Sequence, residues 1–449
     1  MKSNTIGNEM LYGSIWDKLL KFAIPLALTN ILQQLFNAAD IAIVGQFVGK
    51  LALAAVGANG VVINLFLNLF VGLSVGANVL ISNLAGRQDQ ARIADAVHTS
   101  MAIAMAGGIL LAVFGVFFAK PILVLLSTPT EIIEDAILYL RILCLGMPFL
   151  MCFNFVSAIL RSIGDSSTSL WVMCITGFVN VVLNLIFVLC FHLSVDGVAY
   201  ATVISTIIGA FILIHKLARA PNATKLTIKN IKFHSKELNF IVKIGLPAGI
   251  QGMMFSLSNI CIQFAINQLG PEYIAATAAA LNYEFLAYFL LNSFAMAAVT
   301  FIGVNYGACN YQRCKDIVKS ALILDGIVTV LFSALIVIFA EQCMVLYSTD
   351  KTLVEHGVLR LKYILSFEFL NVLIEVFSGS LRGLGISFVP AIICFFGICC
   401  FRVLWVYTVF AQFRTFSVLM MVYPVSWMVT SVALIVVFFK VTDRILNKL

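Results

Sequence analysis

The chain has 449 residues, of which 61% are hydrophobic and only 11% charged, with a mean hydropathy of +1.04. A soluble domain carries about a quarter of its residues as Asp, Glu, Lys and Arg. This composition therefore excludes soluble enzymes, nucleic-acid-binding domains and secreted disulfide scaffolds, and the net charge of +7 has to be placed by side of a membrane before it is given meaning. What remains is an all-α polytopic membrane protein: the apolar stretches run to about 20 residues, as hydrocarbon spans require, and the alternation of a transmembrane barrel is absent. The 11 cysteines, Cys174, Cys190, Cys261 and Cys394 among them, sit in apolar runs without the spacing of a disulfide framework or metal site.

Taken in chain order, about twelve spans are predicted, near residues 22–44, 53–84, 94–118, 136–160, 168–191, 198–217, 241–268, 274–305, 320–340, 357–381, 388–410 and 418–439. The first is too long and too polar for a cleavable signal and is expected to stay in the mature protein. One long polar connector lies between Lys216 and Lys243. It separates an amino-terminal lobe, 1–217, from a carboxy-terminal lobe, 241–449, with a basic connector over 218–240. With the amino terminus inside, 20 Lys and Arg (including Lys2 and Lys448) fall on the cytoplasmic side and 7, including Arg360 and Lys362, on the other; Arg402 falls within a span. That bias places both termini in the cytoplasm of a cell-membrane protein. It also accounts for the basic connector without nucleic acid.

The chain repeats itself. Ile81 to Gly86 and Arg92 align with Ile302 to Gly307 and Arg313 at an offset of 221 residues. At that offset Leu125, Ser127 and Thr128 meet Leu346, Ser348 and Thr349, and Leu160, Arg161 and Gly164 meet Leu381, Arg382 and Gly385. Lys21 and Pro25 meet Lys243 and Pro247 at 222. Six spans is an even number, so the two halves insert in the same direction. The expected architecture is two parallel-repeat six-helix bundles around a central cavity, as in many secondary transporters.

Polar residues of the first span share one helical face. Asn30, Gln33, Gln34, Asn37 and Asp40 follow at steps of three, one, three and three. A carboxylate on such a face costs at least a few kcal/mol in lipid, so the face is expected to look into protein or water. Asp40 is then the natural coupling group: it can hold a proton, or join amide and hydroxyl oxygens around a sodium ion. Thr176, Asn180 and Asn184 line one face of the fifth span, and Thr202 faces up from the sixth.

Several motifs together resemble those of multidrug and toxic compound extrusion (MATE) transporters. They are Pro25 with the run from Asp40 to Gly45, Leu51 to Gly57, Ala85 to Arg87, Leu160 to Asp165, Asn180 to Asn184, Gly197 to Ser205 and Leu381 to Gly385. The resemblance covers nearly the whole chain in order. It implies a fold of two six-helix bundles and an antiporter, not an enzyme, that exports amphipathic, often cationic organic compounds against inward proton or sodium flow. It places Asp40, Asn180, Asn184 and Thr202 together as an amino-lobe cation site, and it suggests that the first span bends at Pro25 as protonation changes. Many members with coupling in this lobe carry an aspartate where this chain has Asn184, a departure that weakens a sodium site and favours a proton. The glutamate that other members place in the seventh span falls near Phe255 here.

In the carboxy lobe, Glu284 has no basic residue at comparable predicted depth and is expected to face the cavity and attract cationic substrates, unless it serves packing. Gln251, Asn259 and Gln263, with Gln34, Asn37 and Thr176 of the other lobe, are expected to line the cavity. Arg402 needs a partner, for which Glu368 or Glu375 is available, more naturally as a structural salt bridge. Pro25 and Pro247 read either as bends or as first-turn prolines. The Gly72/Gly76 pair has the spacing of a close-packing motif, common in membrane helices. The expected partners are small organic substrates and membrane lipid; a monomer is expected, with no cofactor and H+ or Na+ as coupling ion. The rival reading is a flippase for a lipid-linked sugar or peptidoglycan precursor on the same fold, which would want cationic groups to hold pyrophosphate. No Walker-type loop is present, so a self-contained ATPase is excluded.

Overall fold

The structure, a computed structural model, describes residues 7–126, 128–221 and 223–446. Lys2, Ser127 and Lys448, which entered the charge count and the repeat, lie outside the described residues. Among those described, eleven helices are long and apolar enough to cross a bilayer, and a bent pair makes up the twelfth span. In chain order these are α1 (Ile15–Val48), α2 (Lys50–Gly86), α3 (Gln90–Leu125), α4 (Ile133–Ser162), α5 (Ser167–Cys190), α6 (Val195–Ala218), α7 (Ser235–Asn267), α8 (Pro271–Gly307), α9 (Tyr311–Ile338), α10, α11 (Phe388–Phe413) and α12 (Phe416–Arg444). The two halves of α10, Lys351–Leu365 and Glu368–Gly383, meet at 42°. The span predicted over 357–381 therefore starts earlier and is broken. Asp350 accepts the amides of Thr352 and Leu353 and so starts the helix well ahead of the apolar run.

The backbone repeats as the sequence does. Gly49 and Gly270, with φ of 125° and 127°, precede α2 and α8, which are both 37 residues long. Gly164 and Gly385 take φ of 98° and 85°, and Gln88 and Cys309 take 58° and 60°. Each pair is 221 residues apart, so the two halves stop and turn their helices by the same left-handed steps.

By contact the chain forms two units, Ile24–Gly249 and, in the other, Glu9–Ala23 with Ile250–Leu449. The division falls inside α1 and α7 rather than at the connector. In the first unit α4 packs along α3, α2 and α6. The early part of α7 presses on α2, where a Cβ on Gly72 would stand 2.1 Å from the Gly249 nitrogen and one on Gly76 2.3 Å from the Ile241 carbonyl oxygen. The Gly72/Gly76 motif is thus a real crossing, with Gly245 and Gly249 as its counterpart. The connector is pinned to α3: His98 accepts the Thr227 amide at 3.1 Å, the Thr99 hydroxyl accepts the His234 amide at 3.1 Å, and Arg92 pairs with Glu237 at 2.9 Å.

In the second unit α8 packs against α9 and both halves of α10. The early turns of α1 belong here. Phe22 meets Phe301 edge-on with ring centroids 5.5 Å apart, and Asn305 donates to the Met10 carbonyl at 3.1 Å. Pro25 and Pro247 lie 10 and 12 residues inside their helices, each two residues from the point where the helix passes between units. The first-turn reading of both prolines is corrected: each removes a ladder hydrogen bond in the helix interior.

Candidate functional site

Four of the sequence-selected residues meet in the first unit. Asp40 is in the last turns of α1, and Asn184 of α5 donates to its Oδ1 at 2.5 Å. Asn184 also reaches Asn180 Oδ1 at 3.3 Å, and Asn180 donates to the Thr202 hydroxyl of α6 at 3.4 Å. Thr202 in turn donates to the Val198 carbonyl at 3.0 Å. The result is one chain of neutral donors ending on a carboxylate. No Lys, Arg or His lies within ion-pair distance of Asp40 among the described residues. Asn184 is fully buried and its Oδ1 has no partner among the described residues. Wide π-helical turns follow both contributing segments, at Val44–Val48 in α1 and Ile186–Cys190 in α5. Such turns recur at functional sites because they re-aim side chains without ending the helix.

The remaining candidates separate. Gln34 is half-buried and Asn37 exposed, and neither joins this hydrogen-bond chain. Thr176 does not join it either: its hydroxyl bonds the Met173 carbonyl at 3.2 Å, and its methyl packs on Gly209 of α6. In the second unit Gln251 is buried and accepts from Arg382 at 3.0 Å, which corrects the expectation that it lines open space. Asn259 is exposed, while Gln263 is half-buried and donates to Asn267 at 2.9 Å.

Glu284 is not unpartnered. Arg360, in the first half of α10, grips it with two hydrogen bonds, Nε to Oε1 at 2.6 Å and Nη2 to Oε2 at 2.8 Å. The charge count puts Arg360 on the outer side although the predicted span 357–381 contains it, and the structure buries it against Glu284. The pair neutralises Glu284, so its expected pull on cationic substrates is corrected. The pairing of Arg402 with Glu368 or Glu375 is also corrected. Arg402 bonds Asn259 at 3.0 Å and Ser426 at 3.3 Å, whereas Glu368 accepts from Asn371 at 2.9 Å. Tyr423, which no sequence signal marked, lies under both guanidinium groups, 4.4 Å from Arg402 and 5.6 Å from Arg360. Tyr139 of α4, buried within electrostatic range of Asp40, was also unmarked.

The sequence model of the MatE family matches residues 25–186 and again residues 247–408, both bounds shifted by 222. The chain belongs to the MatE family. Its relatives include the probable multidrug resistance protein YoeA of Bacillus subtilis, 27% identical over 86% of this chain and 85% of the relative. A second is the probable multidrug resistance protein NorM of Thermotoga maritima, 26% identical over 86% and 83%. Among solved structures, the outward-facing conformation of a MATE family transporter of the MOP superfamily superposes with a TM-score of 0.91 at 22% identity, covering 99% of each chain. The fold is thus the two-repeat helical fold of MatE membrane transporters.

Proposed function

We propose that this MatE member is a proton-coupled antiporter that exports amphipathic organic compounds by alternating access, with Asp40 carrying the coupled proton. The observation behind this reading is the neutral hydrogen-bond chain on Asp40: a carboxyl without a fixed cationic partner is free to change charge, and Asn180, Asn184 and Thr202 supply partners for its charged form. With Asn184 beside it, Asp40 is the single carboxylate of the site, which suffices to carry one proton. The relatives' names support drug export. Lysine and arginine placement supports a cell-membrane protein with both termini inside, acting as a monomer because both repeats are present in one chain.

In the proposed cycle, Asp40 takes a proton from outside as the compound leaves, and the neutral carboxyl allows α1 to adjust at Pro25. Return of the proton to the cytoplasm restores the compound-binding state. Coupling requires proton and compound each to favour one state by a few kcal/mol. The flippase reading has weaker support, since Arg360 is spent on Glu284 and leaves fewer cationic groups for a pyrophosphate.

The test is dye efflux from proteoliposomes under an imposed proton gradient and then a sodium gradient, for wild type and Asp40→Asn. Wild type should respond to the proton gradient and Asp40→Asn to neither. Full gradient-driven efflux by Asp40→Asn would remove Asp40 from the mechanism, and a response to sodium alone would reject the proton.

A further inference from the structure

We infer, resting on the export reading above, that Arg402 is the centre of an oxyanion-receiving subsite in the second unit, taking the carboxylate or phosphate end of an amphipathic molecule. The guanidinium belongs to a side chain only 4% exposed, in the middle of α11, and an arginine keeps its charge at physiological pH. Its partners are neutral oxygens, Asn259 Oδ1 at 3.0 Å and Ser426 Oγ at 3.3 Å, with the Tyr423 ring beneath it. No carboxylate stands within ion-pair distance of it among the described residues, while the neighbouring Arg360 is fully matched by Glu284. Its nearest carboxylate, Glu368, acts on it only from beyond contact distance, so the buried cation keeps a desolvation cost that an incoming anion would offset.

One guanidinium nitrogen is left for a ligand. Nε and Nη1 are bonded, whereas Nη2 has no protein partner among the described residues and is not sealed from its surroundings. Asn259 lies on a polar stripe of α7 with Ser256, Gln263 and Asn267, apart from the exposed apolar stripe of Ile250, Leu257 and Phe264. The partner of Arg402 thus belongs to a polar face of α7. A planar guanidinium fork matches the two oxygens of a carboxylate, and the Tyr423 ring fixes its plane.

Two further observations mark the place. Arg402 sits in a single α-helical turn, Phe401–Trp405, between π-helical stretches at Phe395–Cys400 and Val406–Phe410. By the shift between the two family matches, Arg402 and Asn259 fall within a residue of the positions of Asn180 and Asn37 in the first repeat. One location is thus used twice, beside a carboxyl in the first unit and as a cation in the second.

The experiment compares binding of a xanthene dye bearing a free carboxylate with binding of its ethyl ester, to the full chain in phosphatidylcholine nanodiscs. Wild type should prefer the acid by about tenfold or more, the range of one charge-assisted contact. Arg402→Gln should bring the two dyes within about twofold of each other, and Arg402→Lys should keep part of the preference. Asn259→Ala, at an exposed position, should reduce the preference and serves if Arg402→Gln does not fold. Equal affinities in wild type, or an undiminished acid preference in Arg402→Gln or Asn259→Ala, would overturn the subsite. Gradient-driven efflux of the ester alongside equal affinities overturns the subsite and spares the export reading; acid preference without efflux of either dye does the reverse. Adding phosphatidylglycerol distinguishes the source: competition with the acid identifies a lipid headgroup, and an unchanged preference identifies the exported compound.

Discussion

A side-chain amide beside an acid can serve both of its charge states. Asn184 donates to Asp40 when the carboxyl is ionised, and its unpartnered Oδ1 is available to a protonated carboxyl if the amide turns over. An aspartate could not do both, because two adjacent carboxylates repel unless a cation or proton lies between them. Asn184→Asp is accordingly expected to add sodium dependence to efflux, seen as stimulation by an inward sodium gradient that wild type lacks. At Glu284 the chemistry is structural. Removing one partner of a buried pair leaves the other charge stranded, so Glu284→Gln should lower stability by about 3–5 kcal/mol. Thermal unfolding in detergent would show this, and the double change Glu284→Gln with Arg360→Met should recover much of the loss. The two cases also show what a sequence can disclose. Asp40, Asn180, Asn184 and Thr202 were legible because polar groups at helical spacing stand out in apolar spans. The pairing of Arg360 was not, because a charge near the end of a span reads as interfacial and its partner, Glu284, lies 76 residues away.

Among the elements, the helix ends carry information that hydropathy does not. Asp165, in the turn between α4 and α5, accepts from Lys216 at the end of α6 at 2.7 Å and from the Thr168 hydroxyl at 2.6 Å. Burial pushes this carboxyl up, but the hydrogen bonds from Lys216 and Thr168 outweigh it and hold it below the ordinary value of 3.8. A group lowered in the folded state stabilises the fold above its unfolded value and loses that contribution as pH falls through the folded one. The unfolding midpoint should therefore keep this contribution from neutral pH down to about pH 4 and lose it below. Asp165→Asn should start from a lower midpoint at neutral pH and show a shallower acid decline; an unchanged acid limb would count against this tie. The Gly72/Gly76 spacing was visible beforehand, but its partner Gly249 was not, since spacing names one side of a crossing only.

At the scale of the whole molecule, duplication and charge bias speak to topology. The left-handed turns at Gly49, Gln88 and Gly164 recur at Gly270, Cys309 and Gly385, so one backbone pattern is written twice. Cys190 ends α5 and Cys309 follows α8, and both are exposed. With both termini inside, they should lie on opposite sides of the membrane. In single-cysteine variants an impermeant maleimide is expected to label Cys190 in intact cells and Cys309 only in everted vesicles. Labelling of both from one side would overturn the orientation.

The segment Glu9–Ala23 has a consequence for biogenesis. Its contacts, Phe22 on Phe301, Met10 with Asn305 and Gly13 with Arg313, are made by residues translated almost three hundred positions later. The nascent chain must therefore hold its opening helical turns unpaired until translation passes Arg313, and a polypeptide severed at the connector would leave that opening stretch on the fragment that has no use for it.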